Sequence, residues 1–265
     1  MVSRVPEFRR LHESGCFVIP NPWDVGSARY LEHLGFRALA STSAGFAWSQ
    51  GRRDNTMALD RLLAHFTSLA ESVSIPVAAD FEDGLAPEPE GVARHVGLAV
   101  HTGIAGLSIE DSTRSAPEPL YDLERATDRI RAAREAIDHS GTGALLTARC
   151  ESYLVGRPDL ASTVARLQAY AEAGADCLFA PGISTREEVD AVVKGVAPKP
   201  VNLIVVSPWI TVSEAEALGV RRISVGGALA RAAWRGFDAA ASEILSKGSF
   251  GGFAGPRQDL DSIFG

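Results

Sequence analysis

The sequence predicts an α/β protein, a closed barrel of eight parallel strands each followed by a helix, on three observations. Short apolar runs rich in Val, Ile and Ala recur eight times along the 265 residues. Each is followed by a stretch whose apolar residues fall three and four apart, the spacing of a helix with one buried face. The repeat length, about 33 residues per unit, is that of a (β/α)8 (TIM) barrel. In order, strands are expected at 17–20, 37–42, 76–80, 106–110, 144–149, 176–180, 201–206 and 221–225. Helices are expected between them at 27–34, 58–72, 91–101, 123–140, 160–173, 186–194 and 212–218, with a longer one at 228–247 after the last strand. Gly35, Gly174 and Gly219 stand where three of these helices would end, and glycine takes the left-handed turn that stops a helix. The phrases EHLGFRAL, AEAGADCL and EALGVRRI are alike, which suits repeated barrel units better than two domains. The expectation is one domain over 1–265. Within it, 228–265 forms a C-terminal helix and tail whose three phenylalanines, left in water otherwise, would pack on a neighbouring subunit.

Composition removes several classes of function. With 46 % apolar residues the chain can bury a core and is not disordered. A net charge of −7 and a pI near 5.4 would repel nucleic acid. No apolar run approaches the ~20 residues of a membrane span, and residues 1–10 lack the apolar stretch of a secretory leader. Cys16, Cys150 and Cys177 form no CxxC pair, so neither a disulfide framework nor a zinc site is expected and a reducing cytoplasm is the natural compartment. Lys194, Lys199 and Lys247 are the only lysines, so any Schiff-base chemistry must use one of them.

In such a barrel the chemistry lies at the C-terminal ends of the strands. Those ends read Asn21-Pro22-Trp23-Asp24, Thr42-Ser43-Ala44-Gly45, Asp80-Phe81-Glu82-Asp83-Gly84, Glu110-Asp111-Ser112-Thr113, Arg149-Cys150-Glu151, Pro181-Gly182, Ser207-Pro208-Trp209 and Gly226-Gly227. A single acid after a strand is often only a helix cap. Asp80, Glu82 and Glu110 on adjacent strands are a stronger signal, because packed together they would repel and raise one another's pKa values unless a cation lay among them. All-oxygen donors favour Mg2+ or Mn2+ over zinc, and none of the six histidines falls at an expected strand end. Arg149 reads either as a structural ion-pair partner or as a site residue. Thr42-Ser43-Ala44-Gly45 reads either as ordinary loop or as a cradle of N–H and hydroxyl donors for a carboxylate. Ser224-Val225-Gly226-Gly227-Ala228 is similar to a phosphate-binding turn, or is simply a tight strand-to-helix connection. Cys150 and Cys177 read as small buried residues rather than nucleophiles. Trp23, Trp48 and Trp209 are placed to wall a pocket, at least one of them through plain packing.

Taken in order, NPWDVGSARYLEHLGFRALASTSAG, GRRDN, PVAADFEDG, VARHVGLAVHTGIAGLSIED, LTARCESY, AYAEAGADCLFAPG and LGVRRISVGGALARAA resemble the isocitrate lyase/phosphoenolpyruvate mutase superfamily over nearly the whole chain. The resemblance implies a (β/α)8 barrel whose eighth helix is exchanged between paired subunits, in a homodimer or homotetramer. It implies Mg2+ or Mn2+ and chemistry on 2-oxo acids beside an enolate. By motif, Asp80, Glu82, Glu110 and Asp54 match the metal-side carboxylates. Thr42, Ser43 and Ala44 match the loop that holds the substrate carboxylate, with Trp23 nearby. Arg149 matches the arginine of an Ala-Arg-Thr-Asp phrase, with Glu151 in place of its Asp. The implied catalytic residues are Arg149, Glu110 and Thr42.

The departures concern the residues that define each reaction. The lyases carry Lys-Lys/Arg-Cys-Gly-His after strand four, where this chain reads Glu110-Asp111-Ser112-Thr113-Arg114-Ser115-Ala116-Pro117. The lysine and asparagine of the mutase and phosphonopyruvate hydrolase loop are missing. Pro181 replaces the glutamate or histidine after strand six, and Gly226-Gly227 stands where the oxaloacetate decarboxylases place a histidine. The expected activity is therefore a Mg2+-dependent carbon–carbon lyase or decarboxylase acting on a small 2-oxo or 2-hydroxy dicarboxylic acid. Arg114 and Glu151 are weak candidates for its acid or base. Phosphonopyruvate chemistry, a phosphosugar-binding barrel and a non-catalytic 2-oxo-acid-binding relative are the rivals.

Overall fold

The computed structural model describes residues 3–115, 117–256 and 258–265. Met1 and Val2 of the N-terminal segment, Ala116 of the loop after strand four and Arg257 of the tail lie outside them. The elements follow in chain order: α1 Val5–Leu11, β1 Phe17–Ile19, α2 Val25–His33, β2 Leu39–Ala40, α3 Ser43–Ser49, α4 Leu59–Ser72, β3 Val77–Asp80, α5 Pro89–Ala99, β4 Gly106–Glu110, α6 Leu123–Ser140, β5 Leu145–Arg149, α7 Leu160–Glu172, β6 Cys177–Phe179, α8 Arg186–Val196, β7 Val201–Ile204, α9 Val212–Ala217, β8 Arg222–Ser224, α10 Ala228–Lys247 and α11 Leu260–Phe264. The strands form one parallel sheet in the order β1-β8-β7-β6-β5-β4-β3-β2. This is the expected (β/α)8 barrel, nearly closed.

The join between β1 and β2 differs from the other seven. One backbone bond crosses it, from the Ala40 N–H to Pro20 O at 3.1 Å. Above that bond the buried side chain of Asn21 does what a ladder would do. Its Nδ2 donates to Ser41 O at 3.0 Å, and its Oδ1 accepts the N–H groups of Val225 and Gly226, each at 2.8 Å. One amide therefore pins the ends of β1, β2 and β8 together. With so little pairing on one side, β2 shrinks to two residues where the apolar run suggested six.

The helices cover the outside of the barrel through apolar stripes, as in α4, where Leu62, His65, Phe66 and Leu69 are buried. Side-chain caps fix where α2, α8 and α9 begin, through the pairs Asp24–Ser27, Thr185–Glu188 and Thr211–Glu214. Three helices were not foreseen: α1, α3 and the five-residue α11 of the tail. The first, α1, is short and amphipathic: Val5, Phe8 and Leu11 sit three apart and are buried. It closes the end of the barrel away from the C-terminal strand ends. Phe8 packs among Phe17, Ile19, Ala38, Ala78, Ala105 and Leu145. Gly106 makes room for it, since a Cβ there would lie 2.9 Å from the Phe8 ring and 2.8 Å from Leu145 O. The second, α3, starts at Ser43, within the stretch read as loop.

The long helix α10 meets α3 near its start, where Arg231 lies 4.4 Å over the Trp48 ring. Beyond that it is exposed along most of its length, including Trp234, Phe237 and Leu245. The tail folds back: Phe264 of α11 lies under Arg29 of α2 at 5.6 Å, while Phe250 and Phe253 stay exposed. Among the described residues no helix is long and apolar enough to cross a membrane.

Arg222 lies buried inside the barrel with no carboxylate partner among the described residues. It donates to Asn202 Oδ1 at 2.8 Å and Thr147 Oγ1 at 3.0 Å, and approaches His12 Nε2 at 3.3 Å. His12 Nδ1 lies 2.8 Å from Phe8 O, so the proton is assigned to Nδ1 and Nε2 accepts from Arg222. Burial first, and then the Arg222 charge, push the His12 pKa down to about 3 from its ordinary 6.5. The folded state therefore binds the proton less readily than the unfolded state. The stability held by neutral His12 is complete above pH 6.5 and drains away as pH falls toward 3. In urea titrations between pH 7 and 4, wild type should lose stability more steeply than His12→Gln, by up to about 1.4 kcal/mol per pH unit. Parallel curves would contradict this. Asn21→Ala should cost about 2–4 kcal/mol at an unchanged denaturant slope, because three buried backbone groups lose their partner. A loss below about 1 kcal/mol would show that water serves the seam equally well.

Candidate active site

The C-terminal mouth of the barrel opens on a cavity of about 180 Å3. One wall is polar, with Ser41, Thr42, Ser43, Asp54, Asp80 and Arg149. The facing wall is largely apolar, with Leu154, Phe179, Pro181 and Ile204, and Gly226-Gly227 stand at the rim. Arg149, the last residue of β5, organises the polar wall. Its Nη1 meets Asp80 Oδ1 at 2.7 Å, its Nη2 meets Glu110 Oε2 at 3.0 Å and its Nε meets Glu151 Oε1 at 2.9 Å. The three acids come from the end of β3, the end of β4 and the residue just beyond Cys150, so the sheet itself brings them to one guanidinium. Burial alone would lower the Arg149 pKa, but Glu151, Glu110 and Asp80 more than offset it and hold it well above the ordinary value. Burial pushes the Glu110 carboxyl well up, with Arg149 opposing, and Glu151 is raised in the same way.

A second pairing was not foreseen. Arg114, in the loop after β4, reaches back so that its Nη2 meets Glu82 Oε2 at 2.6 Å and Asp83 Oδ1 at 2.8 Å. Glu82 sits in the left-handed region at φ 53°, an uncommon conformation for a residue with a Cβ. Its side chain is buried, and Oε1 finds no hydrogen-bond partner. Burial pushes its pKa to about 7 despite Arg114. Asp54 stands at the cavity rim, where burial raises its pKa against the bond it accepts from the Ser43 hydroxyl.

The carboxylates thus form two groups rather than the single cluster suggested by the strand ends. Asp80, Glu110 and Glu151 surround Arg149, while Glu82 and Asp83 hold Arg114. Among the described residues no three His, Cys, Asp or Glu side chains converge closely enough to grip a metal directly. That pattern fits a hydrated hard cation, because Mg2+ usually keeps several waters and takes few direct carboxylates. The donor set fits as well. Counting Asp54, six carboxylates share two guanidiniums, and a buried carboxylate oxygen is left without a partner.

Several residues stand elsewhere than expected. Thr42 lines the cavity, but its hydroxyl accepts the Gly45 N–H and caps α3 at 3.3 Å. The Ser43 N–H donates to Asp80 Oδ2 at 3.0 Å. A helix start satisfies its own donors from the nearest caps; the Ser43 N–H assigned to a substrate carboxylate is therefore already engaged, whereas the Thr42 hydroxyl, an acceptor in its cap, keeps its O–H to donate. Ala44 remains at the cavity wall. Trp23 is not part of that wall. Its N–H is held by the Ser27 hydroxyl at 3.0 Å, and its ring lines a surface groove with Ser49, Ala233, Trp234 and Phe237. Trp48 lies under Arg231, and Trp209 packs at the edge of the core. The amides of Val225 and Gly226 point at Asn21, so neither is available to a phosphate. Cys150 is buried and its thiol is pushed up to about 12 by burial. Cys177 is likewise buried and raised, so neither is poised as a nucleophile.

Comparison with known proteins places this geometry in a family. The family model for phosphoenolpyruvate phosphomutase matches residues 8–245. An uncharacterized protein of Mycobacterium tuberculosis H37Rv is 34 % identical over 221 residues, 83 % of this chain and 81 % of that one. A solved structure from Burkholderia cenocepacia J2315, provisionally described as a lyase/mutase, is 45 % identical with a TM-score of 0.95, covering 98 % of this chain and 96 % of its own. A 2,3-dimethylmalate lyase of the PEP mutase/isocitrate lyase superfamily is 30 % identical with a TM-score of 0.89, covering all of this chain and 95 % of its own. The chain belongs to the phosphoenolpyruvate phosphomutase family, within the isocitrate lyase/PEP mutase superfamily.

Proposed function

We propose that the protein is a divalent-cation-dependent carbon–carbon lyase or decarboxylase acting on a small 2-oxo or 2-hydroxy dicarboxylic acid. The observation that carries this reading is Arg149, a buried guanidinium held by three carboxylates at the wall of a small, half-polar cavity. Such a group is fixed before the reaction and meets negative charge as it develops on the substrate. Asp80 is best placed to touch a Mg2+ or Mn2+ ion, with Glu82, Glu110 and Asp54 reaching it through water. When bound, the ion would supply Lewis-acid polarisation of the substrate's carboxylate and adjacent oxygen.

The chain's own residues do the rest. Asp80 and Glu110 hold Arg149 aimed at the cavity. The apolar wall of Leu154, Phe179, Pro181 and Ile204 excludes water from one side of the substrate. Arg114 stands on the loop after β4, where the lyases carry their acid. A guanidinium keeps its proton at neutral pH, so Arg114 serves by charge rather than by proton transfer. The name of the 2,3-dimethylmalate lyase supports the substrate class. The same reading extends to assembly. The exposed Trp234, Phe237 and Leu245 of α10 and the groove at Trp23 would be covered by a second copy exchanging this helix.

Oxalate presents a carboxylate beside a second anionic oxygen pair, as a 2-oxo acid does when its bond breaks. Calorimetry should find oxalate binding in the presence of Mg2+ and little without it; no binding in either condition would overturn the reading. A panel of 2-oxo and 2-hydroxy dicarboxylic acids should then include one that is cleaved, whereas phosphate release from phosphonopyruvate alone would move the activity to P–C chemistry. For that substrate, Arg149→Ala should lower kcat by about 10²–10³-fold with a much smaller change in KM. Near-normal turnover would remove Arg149 from the mechanism.

A further inference from the structure

Arg129 is a buried charge without a counter-ion. It projects from α6, is only 1 % exposed, and pairs with no carboxylate among the described residues. Its contacts are backbone carbonyls of a single segment, the turn that follows β3. Nη1 donates to Ala86 O at 2.5 Å and Pro87 O at 2.9 Å, and Nη2 donates to Asp83 O at 2.5 Å. Its guanidinium also lies 4.2 Å over the ring of Tyr121, where the loop after β4 returns to α6. A buried guanidinium given over to three carbonyls of one turn is a costly way to fasten a connection, unless the shape of that turn matters.

The shape is unusual. Glu82 and Leu85, neither of them glycine, both occupy the left-handed region, at φ 53° and 55°. Such backbone persists only where surrounding contacts over-determine it. Within the turn the Gly84 N–H donates to Phe81 O and the Leu85 N–H to Asp83 Oδ1, each at 2.9 Å. From outside, the Glu110 N–H donates to Glu82 O at 3.0 Å and His95 Nδ1 lies 2.9 Å from Gly84 O, while Arg129 alone holds the carbonyls of Asp83, Ala86 and Pro87 among these outside contacts. The left-handed residue Glu82 carries the buried carboxylate with a free oxygen, and Asp83 beside it shares Arg114. Arg129 thus touches both flanks of the arrangement: the turn that aims Glu82 and, through Tyr121, the loop that brings Arg114 to it.

We propose that Arg129 is the positioning residue for Glu82, clamping the turn after β3 in the conformation that points this carboxylate into the acidic site. The proposal rests on the reading of that site as a hydrated divalent-cation site. It makes no claim that Arg129 touches substrate or cation.

Mn2+ binding, measured calorimetrically on the full chain, tests it without turnover. Wild type, Glu82→Gln, Arg129→Gln and the double variant form a cycle. Loss of a supporting residue around a metal site weakens affinity by about tenfold to a hundredfold. That loss is expected for Glu82→Gln and for Arg129→Gln, each still folded by circular dichroism. The deciding result is the double variant. Because Arg129 acts through Glu82, removing it from Glu82→Gln should change Mn2+ affinity by no more than about twofold. Losses that simply add, as a general weakening of the fold would produce, overturn the proposal; so does an Arg129→Gln variant that binds Mn2+ like wild type. If Arg129→Gln does not fold, Arg129→Lys, which keeps the charge but not the fork, runs the same cycle under the same criteria. Mn2+ binding by wild type with additive losses removes only the role of Arg129. Failure of wild type to bind Mn2+ takes down the functional reading and this proposal together.

Discussion

The ion-pair cluster around Arg149 is the constraint on which the rest of the site depends. Three carboxylates from consecutive regions of a parallel barrel cannot share a buried mouth unaided, because each would be forced to neutralise or to draw in solvent. One guanidinium at the end of β5 lets Asp80, Glu110 and Glu151 coexist within 3.0 Å of its nitrogens. The direction of each strand then becomes a functional coordinate. Parallel pairing of β3, β4 and β5 sets their ends side by side, and the acids inherit that placement without further instruction.

Around that cluster the protein uses much of its own donor capacity internally. The Ser43 N–H serves Asp80, the Gly45 N–H serves the Thr42 hydroxyl oxygen, and the Val225 and Gly226 amides serve Asn21. What remains uncommitted among the described residues is more telling than what is bonded: the Thr42 O–H, one oxygen of Glu82 and an apolar far wall. Few polar groups of the site are idle. A ligand must match those few, and it gains nothing by presenting groups for donors already taken.

Much of the fold was legible along the chain because barrel units repeat the same two periodicities. The boundaries of β4, α6 and α10 coincide with the apolar patterns that announced them. The short helices α1 and α3 escaped because seven residues are less than a full window of helical periodicity. At the site, the acids and Arg149 could be read from strand ends, since strand direction is a backbone property. Their division into two groups could not. It depends on Glu82 adopting a left-handed conformation and on Arg114 folding back across the mouth. Trp23 was misplaced for a related reason: its neighbours at the strand end line the cavity, but the cap of α2 turns the backbone at Trp23. The Gly226-Gly227 turn misled because the amides of Val225 and Gly226 are claimed by Asn21, 204 and 205 positions away.

The uneven fastening of the barrel gives it a preferred direction of breathing. Seven joints are strand ladders; the eighth is one backbone bond and one amide side chain. Strain spread evenly over the wall meets the fewest bonds at that eighth joint, beside α3. Thermal widening of the mouth therefore meets least resistance there, while β3, β4 and β5, which carry the Arg149 cluster, stay tied by ladders.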